Sequence, residues 1–252
     1  MGKFYEFKNK ADSNTVDVYV YGAIVSGSAK WDDSDVIAQD FVDATKDLKS
    51  GDAINLFINS PGGSVFTASG IIAILQRAQE KGVIINAYID GIAASAASFL
   101  AMAADNIYVY DTSILMIHRA ISAVYGNADD FYETIDILEK LENSIIIPMY
   151  QKNSKDENTD FAKLMKAETW LDSQQISELF NVNIVENTAK QKAVACVDIE
   201  IMKNYKNTPE KLKNMLNTEK VIEADEIEEI IDHSAEILEK AKAKLKLVKE
   251  LL

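Results

Sequence analysis

A single cysteine, Cys196, occurs in 252 residues, so no internal disulfide can staple the fold. A reducing cytoplasm is the expected setting. Histidine is almost as scarce, with only His118 and His233. One thiol and two imidazoles far apart in the chain match no metal-ligand spacing, so no metal site is expected. No stretch approaches the roughly 18 apolar residues of a membrane-spanning helix. The N-terminal run MGKFYEFKNK lacks the apolar segment of a signal peptide, so neither membrane insertion nor secretion is expected. Basic residues are outnumbered, 26 Lys and Arg against 40 Asp and Glu, for a net charge of −14. Phosphate binding needs a basic face, which argues against nucleic acid as the main partner.

Glycine is missing from the second half. All ten glycines lie at or before Gly126. Since glycine punctuates turns and close crossings, the first half should be a weave of strands and helices, and the second mainly helical. Val16–Tyr21 alternates like a strand, and Asp35–Leu48 has helical spacing with Ser34 as N-cap. Ala53–Ile58 is a short apolar run, Val65–Lys81 a helix stopped by Gly82, and Val83–Ile89 a further strand. A small-residue helix follows Gly91 to about Ala104, then strands at Ile107–Tyr110 and Ser113–Ile117. This alternation predicts an α/β domain with much parallel pairing. Beyond it come a long helix over Asn127–Gln151, helices at Asn158–Lys166 and Ser173–Phe180, and a strand at Val182–Val185.

The polar run Glu186–Gln191 marks the expected domain end, giving a domain over 1–190 and a helical extension over 191–252. In the extension Ile227, Ile231, Ser234, Leu238, Ala241, Leu245, Val248 and Leu252 trace a heptad-like seam. Glu219–Glu239 holds nine acids and one lysine, and Lys240–Lys249 holds five lysines and no acid. That polarity suits the helix dipole. It fits either a solvated helix packed on its own domain or an arm that binds a partner.

Three segments could carry chemistry. His118 ends an apolar strand, Leu115-Met116-Ile117-His118, where an imidazole taken alone is more often a structural group than a base. In Asn59-Ser60-Pro61-Gly62-Gly63-Ser64, adjacent glycines bare backbone N–H donors suited to an oxyanion, although a plain strand–helix turn would read the same way. Asp90-Gly91-Ile92-Ala93-Ala94-Ser95-Ala96-Ala97-Ser98 leaves a strand and opens a helix. Its serine meets free N–H groups, while its alanines allow either substrate approach or tight packing. Together the three supply a nucleophile, a base and an oxyanion site, the parts of acyl transfer.

The order INSPGGSV, DGIAASAAS, LMIHRA, AETWLD resembles the ClpP-like serine peptidases over roughly residues 15–187. Within them it is most similar to the phage head-maturation (prohead) branch, through YGAI, the segment Trp31-Asp32-Asp33, AASAAS and ETW. The resemblance implies a ClpP/crotonase-like α/β spiral of β-β-α units with a helical arm, here Asn127–Gln151. It implies Ser95 as nucleophile, with Ser98 the alternative one turn on, and His118 as base. It implies Glu168 as the orienting carboxylate, with Asp172 the alternative, and backbone N–H groups of Gly63 and Ala96 as the oxyanion hole. No cofactor takes part.

The same resemblance implies a homo-oligomeric ring of six or seven subunits, often paired face to face. It also implies a polypeptide substrate, for the prohead branch scaffold or capsid protein, in the cytoplasm of a bacterial host or inside the prohead. The short polar N-terminus differs from the loops that engage an unfoldase ATPase, which argues against that partner. Three other readings stay open: a degradative peptidase working with an unfoldase, a crotonase-like acyl-CoA enzyme, and a latent structural ring. The serine–histidine pair argues against the crotonase reading.

Overall fold

The computed structural model describes residues 5–9, 14–27, 30, 32, 34–185, 205–210, 212 and 213. Residues Met1–Asn207 belong to one compact unit and Thr208–Leu252 to a second. The expected boundary at 190 lies outside the described residues, as do Trp31, Asp33, Cys196, His233 and the heptad-like seam of the extension. In the second unit, Lys213 pairs with Glu210 at 2.9 Å.

The strands are β1 (Tyr5–Asn9), β2 (Asn14–Val20), β3 (Ala53–Ser60), β4 (Ile84–Ala94), β5 (Asn106–Tyr110), β6 (Ile114–Ile117), β7 (Thr169–Leu171) and β8 (Asn183–Val185). They form one sheet in the order β1-β2-β3-β4-β5-β8, with β6 attached to β4 and β7 to β6. Among the described strands, only the β1–β2 and β6–β7 pairs are antiparallel. The predicted α/β architecture with parallel pairing is therefore what forms.

Strand periodicity decides which face is which. Val16, Val18, Val20, Ile54, Leu56, Ile58, Ile85, Ala87, Ile89, Ile107 and Val109 are buried in a single core. That core is completed by α1 (Ala38–Thr45), α2 (Val65–Glu80) and α3 (Ala96–Ala101). Helix α2 contributes Ala68, Ile71, Ile72, Leu75 and Ala78, spaced for one helical face. Burying each of the Val, Leu and Ile side chains among these is worth about 1.5–3 kcal/mol. The alternate residues form cross-strand rows. Asn55 donates to Asp17, Asn86 to Asn55 and Asn106 to Asn86, at 2.8, 3.1 and 3.0 Å. One row along, Tyr19, Phe57, Tyr88 and Tyr108 stack with ring centroids 4.6–5.3 Å apart.

Helix α1, strand β4 and the arm are among the elements that differ from expectation. Helix α1 begins at Ala38 rather than Asp35, because Val36 is held extended by Val25 N to Val36 O (3.0 Å) and Val36 N to Ala23 O (2.9 Å). Ser34 is consequently no N-cap; its hydroxyl donates to Asp32 at 2.7 Å. Strand β4 does not end at Gly91 but runs on to Ala94, since Ile92 N donates to Asn59 Oδ1 (3.1 Å) and residues 92–94 pair with β6. A side chain at Gly91 would put its Cβ 2.7 Å from that same Oδ1.

The arm is not one α-helix. Helix α4 (Ala128–Leu141) passes through a π turn, Glu142–Ile146, into α5 (Ile147–Asn153). Pro148 explains the break, because it cannot donate an N–H and its ring crowds the carbonyl four residues back, which the wider turn relieves. Two short helices follow, α6 (Phe161–Lys166) and α7 (Ser173–Leu179).

Candidate active site

Two crossings from β3 and β4 build the floor of the site. After β3 the chain turns through Pro61, Gly62 and Gly63 into α2. Ser60 locks that turn, donating to Gly22 O at 2.6 Å and accepting from Gly62 N at 3.1 Å. Gly62 has φ 90°, and a Cβ there would lie 2.5 Å from Ala94 O and 2.7 Å from Ser95 Cβ. Glycine is required both by the left-handed backbone and by this close approach. The adjoining Gly63, at φ 143°, is exposed on the turn.

Ser95 follows the last residue of β4 and is the residue before α3, with φ 53° and ψ −123°. Its N–H donates to Met116 O at 3.0 Å. Ala96 opens α3, so its N–H has no acceptor within that helix. His118 is the first residue past β6, and the pairing of Ala94 with Met116 sets its distance from Ser95. Their side chains meet: His118 Nε2 and Ser95 Oγ are 2.7 Å apart. Burial holds the His118 pKa below the ordinary value of 6.5, against the pull of the Glu168 and Glu142 carboxylates.

Glu168 sits before β7. Because β6 and β7 pair antiparallel with Ile117 opposite Thr169, one further step of that register sets Glu168 across from His118. Ser95 and Glu168 are the two non-glycine residues with positive φ among the described residues, at 53° and 50°. Such backbone costs on the order of 1–3 kcal/mol and persists where the surroundings dictate it. The Glu168 carboxylate accepts from Trp170 Nε1 at 3.3 Å, Lys206 N at 2.9 Å and Asn207 N at 2.5 Å. Among the described residues, no hydrogen bond joins it to His118, and the link between the two is electrostatic.

The two alternatives have other employment. Asp172 is the N-cap of α7, accepting from Gln175 N at 2.9 Å. Ser98 is fully buried, donating to Ser95 O at 2.6 Å with its hydroxyl 2.7 Å from Tyr150 Oη.

Two features escaped the sequence reading. Arg119, next to the histidine, is forked onto Glu142 by Nε at 3.0 Å and Nη2 at 2.8 Å, and Ala120 N donates to the same carboxylate at 3.1 Å. The HRA motif is thereby tied to the first residue of the π turn. The signal was a lone acid on the apolar side of the arm. Second, Tyr205 reaches the site from a segment assigned to the extension. Its hydroxyl donates to Pro61 O at 2.5 Å and also hydrogen-bonds Ser95. Its ring meets His118 and Trp170 edge-on, with centroids 5.3 and 5.8 Å away. Burial pushes the Tyr205 phenol pKa up to about 12. One aromatic in a polar run, Asn204-Tyr205-Lys206-Asn207, gave no pattern to read.

A half-buried serine hydroxyl against a half-buried imidazole, beside the glycine turn and the start of α3, is an arrangement for nucleophilic attack on a carbonyl. Comparison with known proteins points the same way. The Clp protease family profile matches residues 23–187. The chain is 30% identical over 144 residues to an ATP-dependent Clp protease proteolytic subunit of Bacteroides thetaiotaomicron, covering 55% of this chain and 60% of that protein.

Proposed function

As the chain belongs to the Clp protease family, we propose that it is a serine endopeptidase acting through Ser95, His118 and Glu168, with Gly63 and Ala96 as oxyanion donors. The observation that carries this reading is the 2.7 Å contact between Ser95 Oγ and His118 Nε2. A serine hydroxyl attacks slowly until a base accepts its proton. Ser95 Oγ bonds to the carbonyl carbon of a peptide as its proton passes to His118 Nε2, and the carbonyl oxygen takes up negative charge beside the N–H groups of Gly63 and Ala96. The C–N bond then breaks, His118 gives the proton to the leaving amine, and Ser95 is left acylated. Water, deprotonated by His118, attacks the ester carbon; the bond to Ser95 Oγ then breaks, the new carboxyl terminus leaves, and His118 returns the proton to Ser95. Glu168 steadies the imidazolium in both halves. Each oxyanion donor is worth about 10²–10³ in rate.

The substrates we assign are scaffold and capsid proteins during phage head assembly, in the cytoplasm of a bacterial host. YGAI, AASAAS and ETW support the prohead branch. Assembly as a six- or seven-membered ring is supported by the arm, where Phe131, Tyr132 and Ile135 are 48%, 71% and 51% exposed. A second reading, degradation of unfolded protein with an ATPase, draws on the name of the Bacteroides relative, of which the chain spans only 60%.

Intact-mass analysis after fluorophosphonate treatment tests the chemistry. One adduct is expected, absent in Ser95→Ala. An adduct that survives in Ser95→Ala, or none after prolonged exposure, contradicts it. Scaffold cleavage on co-expression, independent of any ATPase, separates the two substrate readings.

A further inference from the structure

Three consecutive residues act on all three members of the site. Tyr205 lays its ring edge-on against His118, and its hydroxyl bonds Ser95 and the Pro61 carbonyl beside the glycine turn. Lys206 and Asn207 donate their backbone N–H groups to the two oxygens of Glu168, Lys206 to Oε2 and Asn207 to Oε1. Asn207 Nδ2 adds a bond to Ala167 O at 3.0 Å, fastening the segment to the strand entry that carries Glu168.

These contacts obstruct the reaction in two separate ways. A peptide carbonyl must reach Ser95 Oγ, where the phenol now lies. The group presented there is a hydroxyl, with no carbonyl carbon for Ser95 to attack, so the occupant blocks the cleft without being cut at that point. Meanwhile the carboxylate meant to steady His118 is turned to two charge-assisted donors, and among the described residues it makes no hydrogen bond to the imidazole. Resting on the peptidase reading above, we propose that residues 205–207 are a built-in inhibitor. In this role Tyr205 fills the cleft at the nucleophile while Lys206 and Asn207 hold Glu168 away from His118.

The segment can leave. Lys206 and Asn207 are exposed and Tyr205 is half-buried, so withdrawal opens no gap in the aliphatic core under the sheet. Its bonds to Pro61 and Glu168 are replaceable: a substrate backbone or water can take the Pro61 carbonyl, and His118 can take the Glu168 carboxylate. Departure therefore frees the serine and completes the triad in a single step. A substrate competes directly with Tyr205, because both need the same few ångströms around Ser95 Oγ.

The second-order rate of fluorophosphonate labelling of Ser95 tests this on the full chain, comparing wild type, Tyr205→Phe and Tyr205→Ala. A closed state that leaves the open one at a tenth or less of the population makes Tyr205→Ala at least about tenfold faster than wild type, with Tyr205→Phe between them. Hydrogen exchange of the Lys206 and Asn207 amides, slow in wild type, should accelerate in Tyr205→Ala. A substitution that merely loosened the fold would slow labelling instead and lower the melting temperature. Equal rates in all three proteins, all with adduct on Ser95, overturn the built-in inhibitor and leave the peptidase standing. No adduct on any of the three overturns both.

Discussion

At the residue scale, the proposed chemistry rests on one proton. His118 has to be neutral to accept it from Ser95, and burial favours the neutral form by lowering its pKa below 6.5. The sign follows directly. Above the lowered pKa the base is competent, and labelling is lost only as pH falls through that value. A profile of labelling rate against pH should therefore rise with a midpoint below 6.5. In Tyr205→Ala, where water returns to the imidazole and both carboxylates still attract its charge, the midpoint should move upward. A wild-type midpoint above 6.5 would mean that the carboxylates outweigh burial. The meeting of Ser95 and His118 was legible in sequence because their motifs are local and the side chains follow from strand ends. The choice between Glu168 and Asp172 was not local. The β6–β7 register sets Glu168 opposite His118, and Asp172 caps α7. Tyr205 was illegible for the same reason in stronger form, since only tertiary structure brings it 87 positions back to His118.

Elements were read from sequence where one period dominates. Helix α2 was found almost to the residue, between its Ser64 cap and Gly82. Strand β4 was cut short because Gly91 looks like a terminator, whereas it is the gap through which Asn59 reaches the backbone of Ile92. The arm was read as one helix because its apolar spacing continues through the π turn. That turn has a use: it carries Glu142, nearly buried, to the residues following His118. Glu142→Ala would leave Arg119 and Ala120 N without this partner. With the Arg119 side chain half exposed and able to rehydrate, the expected loss is on the order of 1–2 kcal/mol, read as a lower denaturant midpoint at unchanged slope. Labelling of Ser95 should slow as well, because the HRA segment loses its anchor. Unchanged stability and unchanged labelling would reduce the Arg119–Glu142 pair to a surface contact.

For the whole molecule, the sheet is a device for converging chain segments distant in sequence. Strand β4 pairs with β3 and β5 along its first half and with β6 beyond Gly91, so Ser95, the glycine turn and the histidine strand arrive at one place. Parallel alternation and the order of motifs were enough to expect this architecture. The branching of the sheet was not, because it depends on pairings between segments that share no local pattern. The same convergence sets the central expectation, that the oxyanion forms between Gly63 and Ala96. The most direct test is a crystal structure of the fluorophosphonate adduct. The expected result is phosphorus on Ser95 Oγ, one phosphonyl oxygen about 2.7–3.1 Å from both backbone nitrogens, Glu168 turned to His118, and Tyr205 displaced from the cleft. A phosphonyl oxygen pointing away from Gly63 and Ala96, or an adduct on another residue, would contradict the assignment of the site.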